Sequence, residues 1–244
     1  MSRILNIETA THVCSVALSV DGNVVTMREN KEGRSHASLL AYFIGEILEE
    51  QKIRVSQLDA ISISQGPGSY TGLRIGVSTA KGLCYGAGIP LIAVPTLQSL
   101  AAGLMEQFNQ TGRAKTMDDQ TLLVPMLDAR RMEVYSALYN TTLLMVREVK
   151  PEIIDENSFG DWLDKYTLIF AGSGTPKVQE TISHPNAEFV DDVELSARFM
   201  AQLSDDRFQN QQFEDVAYFE PFYLKEFIAT KPRKNVIQRM RPNK

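Results

Sequence analysis

The sequence predicts an α/β protein made of two similar halves, each a mixed sheet flanked by helices, and three observations carry that prediction. Residues 58–94 read strand, glycine-rich loop, helix, strand, a βαβ unit that puts a parallel pair into a sheet. A strand ending in an acid, a turn and a strand ending Ala-Leu are read twice at an offset of 120 residues, with Glu8 on Asp128, Ala17 on Ala137 and Leu18 on Leu138. The chain is 244 residues long and 43% apolar, enough for a large core, and the offset is close to half its length.

Arg3–Glu8 and Val13–Val20 are runs of aliphatic and small residues, and Asp21-Gly22-Asn23 leads into Val24–Met27. Asp-Gly marks a tight hairpin, so the chain opens as an antiparallel meander. Ser35–Gln51 carries Leu39, Leu40, Phe43, Ile44, Ile47 and Leu48 at helical spacing, with Ser35 as N-cap. Leu58–Ser64 predicts a strand and Thr71–Tyr85 a helix closed by Gly86-Ala87-Gly88. Ile89–Val94 follows as a strand and Thr96–Phe108 as a helix. Residues 109–120 are polar and read as a linker. Beyond them, Leu122–Asp128, Glu133–Leu143 and Leu144–Val149 predict strands, Phe159–Tyr166 a short helix and Leu168–Ala171 a buried strand. Gly172–Pro176 reads as a turn, Leu195–Leu203 as a helix, and Val216–Tyr223 as an apolar segment broken by Pro221.

Composition excludes several classes. No apolar run approaches the roughly 20 residues of a membrane helix, and no h-region opens the chain, so a cytoplasmic protein without a membrane partner is expected. Cys14 and Cys84 lack CxxC spacing, which argues against a disulfide framework or structural zinc. His12, His36 and His184 are the whole histidine supply and no two share a helical turn, so no metal site is expected. Charge is uneven. Residues 231–244 hold six Lys/Arg and no acid, leaving 19 Lys/Arg against 30 Asp/Glu in the rest, a net of −11. That tail reads either as a solvated end or as an arm for phosphate or an acidic partner surface.

Chemistry concentrates in Gly66–Arg74, between a strand and a helix, where backbone N–H groups could hold an anion. The loop lacks both the Walker Gly-Lys-Ser/Thr and the spacing of a dinucleotide fingerprint. Gly72, Gly76 and Ala80, four apart, make one smooth helix face flanked by Leu73 and Val77, and Arg74 offers a fork for a carboxylate. Either another helix from a partner or the helix's own lobe would fill such a face. Glu8 and Asp128 could flank a cleft and hold magnesium-bound phosphates, or be capped strand-end carboxylates. Gly172-Ser173-Gly174 suits a close approach to adenine or ribose, and equally a strand-end turn.

Ile4–Ala10 with Cys14–Leu18, Arg34–Ala37, the string Gly66–Gly76, Pro95-Thr96-Leu97, Asp128-Ala129-Arg130 with Glu133-Val134-Tyr135, and Gly172-Ser173-Gly174 resemble the bacterial TsaB (YeaZ) family of glycoprotease-like proteins. The resemblance implies a duplicated actin/Hsp70-like (RNase H-like) two-lobed fold. It also implies a scaffold role in making threonylcarbamoyladenosine beside the tRNA anticodon. The partners implied are the catalytic paralogue TsaD, whose metal is held by His-x-x-x-His, the ATPase TsaE, tRNA through the complex, and a second copy when the chain is alone. An interface is implied at Ser69, Tyr70, Gly72, Leu73, Arg74, Gly76, Val77 and Ala80, with the helix over 35–51. A vestigial nucleotide cleft is implied at Glu8, Thr9, Asp128, Arg130, Gly172, Ser173 and Gly174, with no cofactor beyond weak or vestigial ATP or ADP binding.

Three departures from the family pattern argue against turnover: the missing His-x-x-x-His, Glu8-Thr9-Ala10 in place of Asp-Gly, and Arg130 where close phosphate approach wants glycine. The expectation is therefore a subunit without catalytic residues, with lobes over 1–108 and 121–230, a linker over 109–120 and a basic tail over 231–244. The last helix is expected to pack back on the first lobe, and Gly76→Phe to abolish docking without unfolding. The rivals are an actin-like ATPase or small-molecule kinase and, from the family's name alone, a metalloprotease.

Overall fold

The computed structural model describes residues 1–33 and 36–225. Two five-stranded sheets organise it. The first contains β1 (Arg3–Glu8), β2 (Cys14–Val20), β3 (Asn23–Asn30), β4 (Ala60–Ser64) and β5 (Leu91–Val94) in the order β3-β2-β1-β4-β5. The second contains β6 (Thr121–Asp128), β7 (Glu133–Asn140), β8 (Met145–Ile153), β9 (Thr167–Ala171) and β10 (Ala187–Val190) in the order β8-β7-β6-β9-β10. In each, the first three strands pair antiparallel and the next two add in parallel. The repeat at offset 120 is thus a repeat of topology, and Glu8 and Asp128 close equivalent strands.

Strand alternation decides which side chains meet which helix. Leu5, Ile7, Ile61 and Ile63 face α1 (His36–Glu50) and α2 (Tyr70–Ala87), against Phe43, Ile44, Ile47, Val77 and Ala80. On the opposite face, Ile4, Ala60, Ile92 and Val94 meet Met200 and Leu203, from a 3-10 turn and the helix α6 that follows it (Ala201–Gln209). α6 is fixed there by buried polar bonds as well: Ser204 Oγ lies 2.7 Å from Asn6 Oδ1 and 2.7 Å from Ser62 Oγ. α3 (Thr96–Thr111) covers the second sheet in return, with Leu97, Leu100, Leu104 and Phe108 on Leu123, Tyr139 and Ile169. Each half lends a helix to the other's sheet. The far face of the second sheet is closed by α4 (Gly160–Leu163) and α5 (Thr175–Thr181) through Leu163 and Val178.

Several expectations shift. The stretch read as a linker is helix through Thr111 and a 3-10 turn over Arg113–Thr116. α5 begins inside the predicted Gly172–Pro176 turn, since Pro176 sits in a first turn that needs no N–H from it. β10 is short and only half-buried, too weak a pattern to announce itself. The segment 213–225 is a strap without regular structure. Glu214 N–H bonds to Leu91 O (2.8 Å) on the open edge of β5, Lys81 Nζ donates to Ala217 O and Phe219 O (3.1 and 2.9 Å), and Phe222 N–H bonds to Gln65 O (2.7 Å). The Ser35 cap and the basic tail lie outside the described residues. Among the described residues no helix is long and apolar enough to cross a membrane.

Candidate functional site

A cleft of about 890 Å³ opens between the lobes, lined by the β1–β2 turn, the start of α2, the β6–β7 turn, Ser173 and Lys225. Apart from Arg130, whose exposed side chain lines the cleft, the residues expected to hold a nucleotide sit around it but are engaged elsewhere. Glu8 is fully buried. Its Oε1 accepts from Ala10 N–H (2.6 Å) and Ser64 Oγ (2.8 Å), while Oε2 has no partner. Burial pushes its carboxyl up to about 7, against the lowering effect of the Ala10, Ser64 and Thr9 hydrogen bonds. Thr9 is equally buried and its Oγ1 is unpartnered. The turn that carries both is pressed onto α2: a Cβ on Gly72 would lie 2.1 Å from Thr9 O, and one on Gly76 2.2 Å from Thr9 Oγ1.

Across the cleft, Asp128 accepts from Lys177 Nζ and from Arg130 N–H (2.6 Å), and its own N–H donates to Ser173 Oγ (3.1 Å). Burial raises the Asp128 carboxyl, but Lys177 and the Arg130 N–H outweigh it and hold it below its ordinary value. Gly172 and Gly174 turn their bare Cα faces onto β6 and β7, where added Cβ atoms would meet Met126 O (2.4 Å) and Val134 Cγ1 (2.9 Å) respectively. Of that trio only Ser173 lines the cleft. A magnesium–nucleotide does not fit these residues: one acid is sealed behind its own turn, the other is paired, and the glycines face away. Nothing in the sequence pattern singles out Lys177 or Lys225, because their partners Asp128 and Glu133 stand 49 and 92 residues away.

The predicted interface face of α2 needs correction. Gly72, Leu73, Gly76, Val77 and Ala80 are all buried and point into their own lobe, because that is where the Thr9 turn and Ile63 pack. Ser69 caps α2, accepting from Gly72 N–H (3.3 Å). The Tyr70 and Tyr223 rings meet in a tilted pair, centroids 4.9 Å apart, and Arg74 lies exposed over the Tyr70 ring at 5.5 Å. The outward face of α2 is a second ladder, Ser78, Gly82 and Gly86, beside Tyr85, which is 86% exposed. Neighbouring α1 turns out Ala41, Gly45 and Tyr42, the last 59% exposed. Cβ atoms on Gly45, Gly82 and Gly86 would meet nothing within 4 Å. That second small-residue ladder was present in the sequence; the first had the same spacing and hid it.

The histidines are occupied structurally. His12 Nε2 pairs with Glu194 Oε1 (3.2 Å), His36 Nε2 lies 3.2 Å from Val13 O, and His184 Nδ1 accepts from Asn186 N–H (3.2 Å). Among the described residues no three His, Cys, Asp or Glu side chains gather as metal ligands would.

Duplicated sheets of this order around a cleft define the actin/Hsp70-like class of two-lobed α/β folds. The comparisons narrow it. A family model described as TsaD, tRNA N6-adenosine threonylcarbamoyltransferase, matches residues 27–231. The tRNA threonylcarbamoyladenosine biosynthesis protein TsaB of Escherichia coli (strain K12) is 30% identical over 239 residues, 94% of this chain and 97% of its own length. The Bacillus subtilis (strain 168) protein of the same name is 32% identical over 162 residues, 66% of this chain and 64% of its own. The solved structure of YeaZ from Pseudomonas aeruginosa superposes with a TM-score of 0.75 at 25% identity, covering 92% of this chain and 100% of that one. The chain belongs to the TsaB (YeaZ) family, within the glycoprotease-like group.

Proposed function

We propose that this protein is a non-catalytic subunit in the synthesis of threonylcarbamoyladenosine on tRNA. In this reading it docks and activates the catalytic paralogue TsaD, the ATPase TsaE joins them, and tRNA is met through the assembly. The relatives' names support the pathway. One observation supports the non-catalytic role: Glu8, the acid that a phosphate-binding cleft of this class would present, is sealed beneath Thr9–Ala10 and α2. The docking face is the outward side of α1 and α2, around Ala41, Tyr42, Gly45, Ser78, Gly82 and Tyr85. Its small residues permit close helix approach and its two tyrosines supply contact area. Gly76→Phe is the wrong probe, since it would collide with Thr9. Gly82→Trp meets open space, and should abolish co-elution with TsaD while leaving the melting temperature and circular dichroism unchanged. Undiminished co-elution of that variant would reject the docking face. Magnesium-dependent ATP turnover by the isolated chain would favour the kinase or ATPase reading instead.

A further inference from the structure

We propose that the strap over 213–225 is the second wall of the docking surface. Tyr218 and the groove between the strap and α2 receive, from the partner that seats on α1 and α2, an apolar side chain flanked by a carboxylate. The identity of that partner as TsaD rests on the function proposed above; the geometry of the strap does not.

The strap is pinned along its length although it has no regular structure. Val216 and Phe219 pack against the core of the first lobe. Asp215 Oδ1 accepts from the N–H groups of Ala217 and Tyr218 (2.8 and 3.1 Å), and Phe219 N–H donates to Asp215 O (2.8 Å), which closes a tight turn. Lys81 Nζ, on α2, grips the carbonyls on either side of Tyr218, 3.1 Å from Ala217 O and 2.9 Å from Phe219 O. The backbone around Tyr218 is thus held from three sides while its ring is 84% exposed. An aromatic displayed on fixed backbone offers a large contact area and loses little conformational freedom when covered, which is what an interface anchor requires.

Helix α2 makes the strap continuous with the helix face. Arg74, Ser78, Gly82 and Gly86 stand four apart and are all exposed, so the outward ladder of α2 begins at Arg74. Ser78 belongs to that ladder and also lines a groove of about 480 Å³ between α2 and the strap. Arg74 and Ser78 are separated by only about 6 Å of helical rise, so a partner seated on the ladder reaches the groove. Val77, Phe219 and Pro221 give the groove apolar walls, and Arg74, Lys81 and Glu220 are its charges. Two cations against one acid is a local surplus in a chain with 25 Lys/Arg against 30 Asp/Glu. Lys81 is spent on the two carbonyls. The Arg74 guanidinium is steadied over the Tyr70 ring, with Nη1 3.3 Å from Tyr70 Oη, and makes no ion pair among the described residues. Its open fork matches a carboxylate, and the walls beside it match an apolar side chain.

Isothermal titration of purified TsaD into the full-length protein, at about 50 and about 200 mM salt, tests this. The native chain is compared with Tyr218→Ala, Arg74→Met, Gly82→Trp and Ile153→Ala, the last a control 74% exposed on β8 of the second lobe. Tyr218 and Arg74 are exposed, so neither change should move the melting temperature. The native chain and Ile153→Ala should bind alike. Tyr218→Ala should bind at least about tenfold more weakly at both salt concentrations. Arg74→Met keeps the apolar stem and removes the fork, so it should bind about three- to tenfold more weakly at low salt and lose part of the native salt dependence. Native affinity in both Tyr218→Ala and Arg74→Met, with binding lost in Gly82→Trp, overturns the strap and leaves the helix face standing. Undiminished binding by Gly82→Trp, with weakened binding by Tyr218→Ala, rejects the helix face and keeps the strap. No binding by the native chain overturns both.

Discussion

At about pH 5 the Glu8 carboxyl carries a proton in the folded protein, and at about pH 8 it does not. Its value is raised from 4.5 to about 7, so the native state holds the proton more tightly than the unfolded chain does. The sign follows: the stability that Glu8 contributes is greatest below about 4.5, falls as pH rises toward 7, and is gone above it. The full swing is of order 3 kcal/mol. Urea midpoints at the two pH values should therefore differ in the native protein and converge in Glu8→Gln. The glutamine's amide nitrogen would replace an oxygen that has no partner, so the absolute stability of the variant is a poor readout. The pH slope is the useful one, and an unchanged slope in Glu8→Gln would reject Glu8 as its source. The position of an acid at the end of the first strand was legible in the sequence. Its sealing was not, because the lid is Gly68–Gly76, some 60 residues downstream, and only tertiary packing brings the two together.

α2 is the element where spacing misleads and packing decides. Two ladders of small residues run along it four apart, 72/76/80 and 78/82/86, and periodicity gives both the same weight. The inner one is selected because Ser69, capping the helix, follows a loop drawn onto Ala10: Ser69 N–H bonds to Ala10 O at 2.6 Å. The same substitution should therefore act oppositely on the two ladders. Gly76→Ala drives a Cβ to 2.2 Å from Thr9 Oγ1 and 2.9 Å from Ile63 Cδ1, and should destabilise by about 1–3 kcal/mol. Gly82→Ala enters open space on an exposed helical turn, and should stabilise by about 0.5–1 kcal/mol through helix propensity. Chemical denaturation of the two variants beside the native protein measures both signs. Equal effects would mean that the inner and outer faces have been confused.

At the scale of the whole molecule, the duplication was readable from two acids and an Ala-Leu pair, whereas the exchange of helices was not. An amphipathic stripe announces that a helix buries one face without naming the sheet that receives it. In the fold, α3 belongs to the first half by sequence and to the second sheet by packing, and α6 reverses the relation. Gly103 on α3 also meets the ring of Phe199, so the borrowed helix and the segment leading into α6 touch each other between the sheets. Neither half can then complete a core alone. Cutting near residue 112 would strip the second sheet of Leu97, Leu100, Leu104 and Phe108, and would leave Ile4, Ile92 and Val94 uncovered on the first. It would also remove the hydrogen bonds that the Ser204 hydroxyl makes to Asn6 and Ser62 and open those polar groups to water. The intact chain should therefore unfold as one cooperative unit despite its two lobes, with a single calorimetric transition whose van't Hoff and calorimetric enthalpies agree. The separated halves 1–112 and 113–244 should show no such transition on their own. Two resolved transitions in the intact chain, or a folded isolated half, would mean that the lobes stand independently and that the exchanged helices are surface dressing.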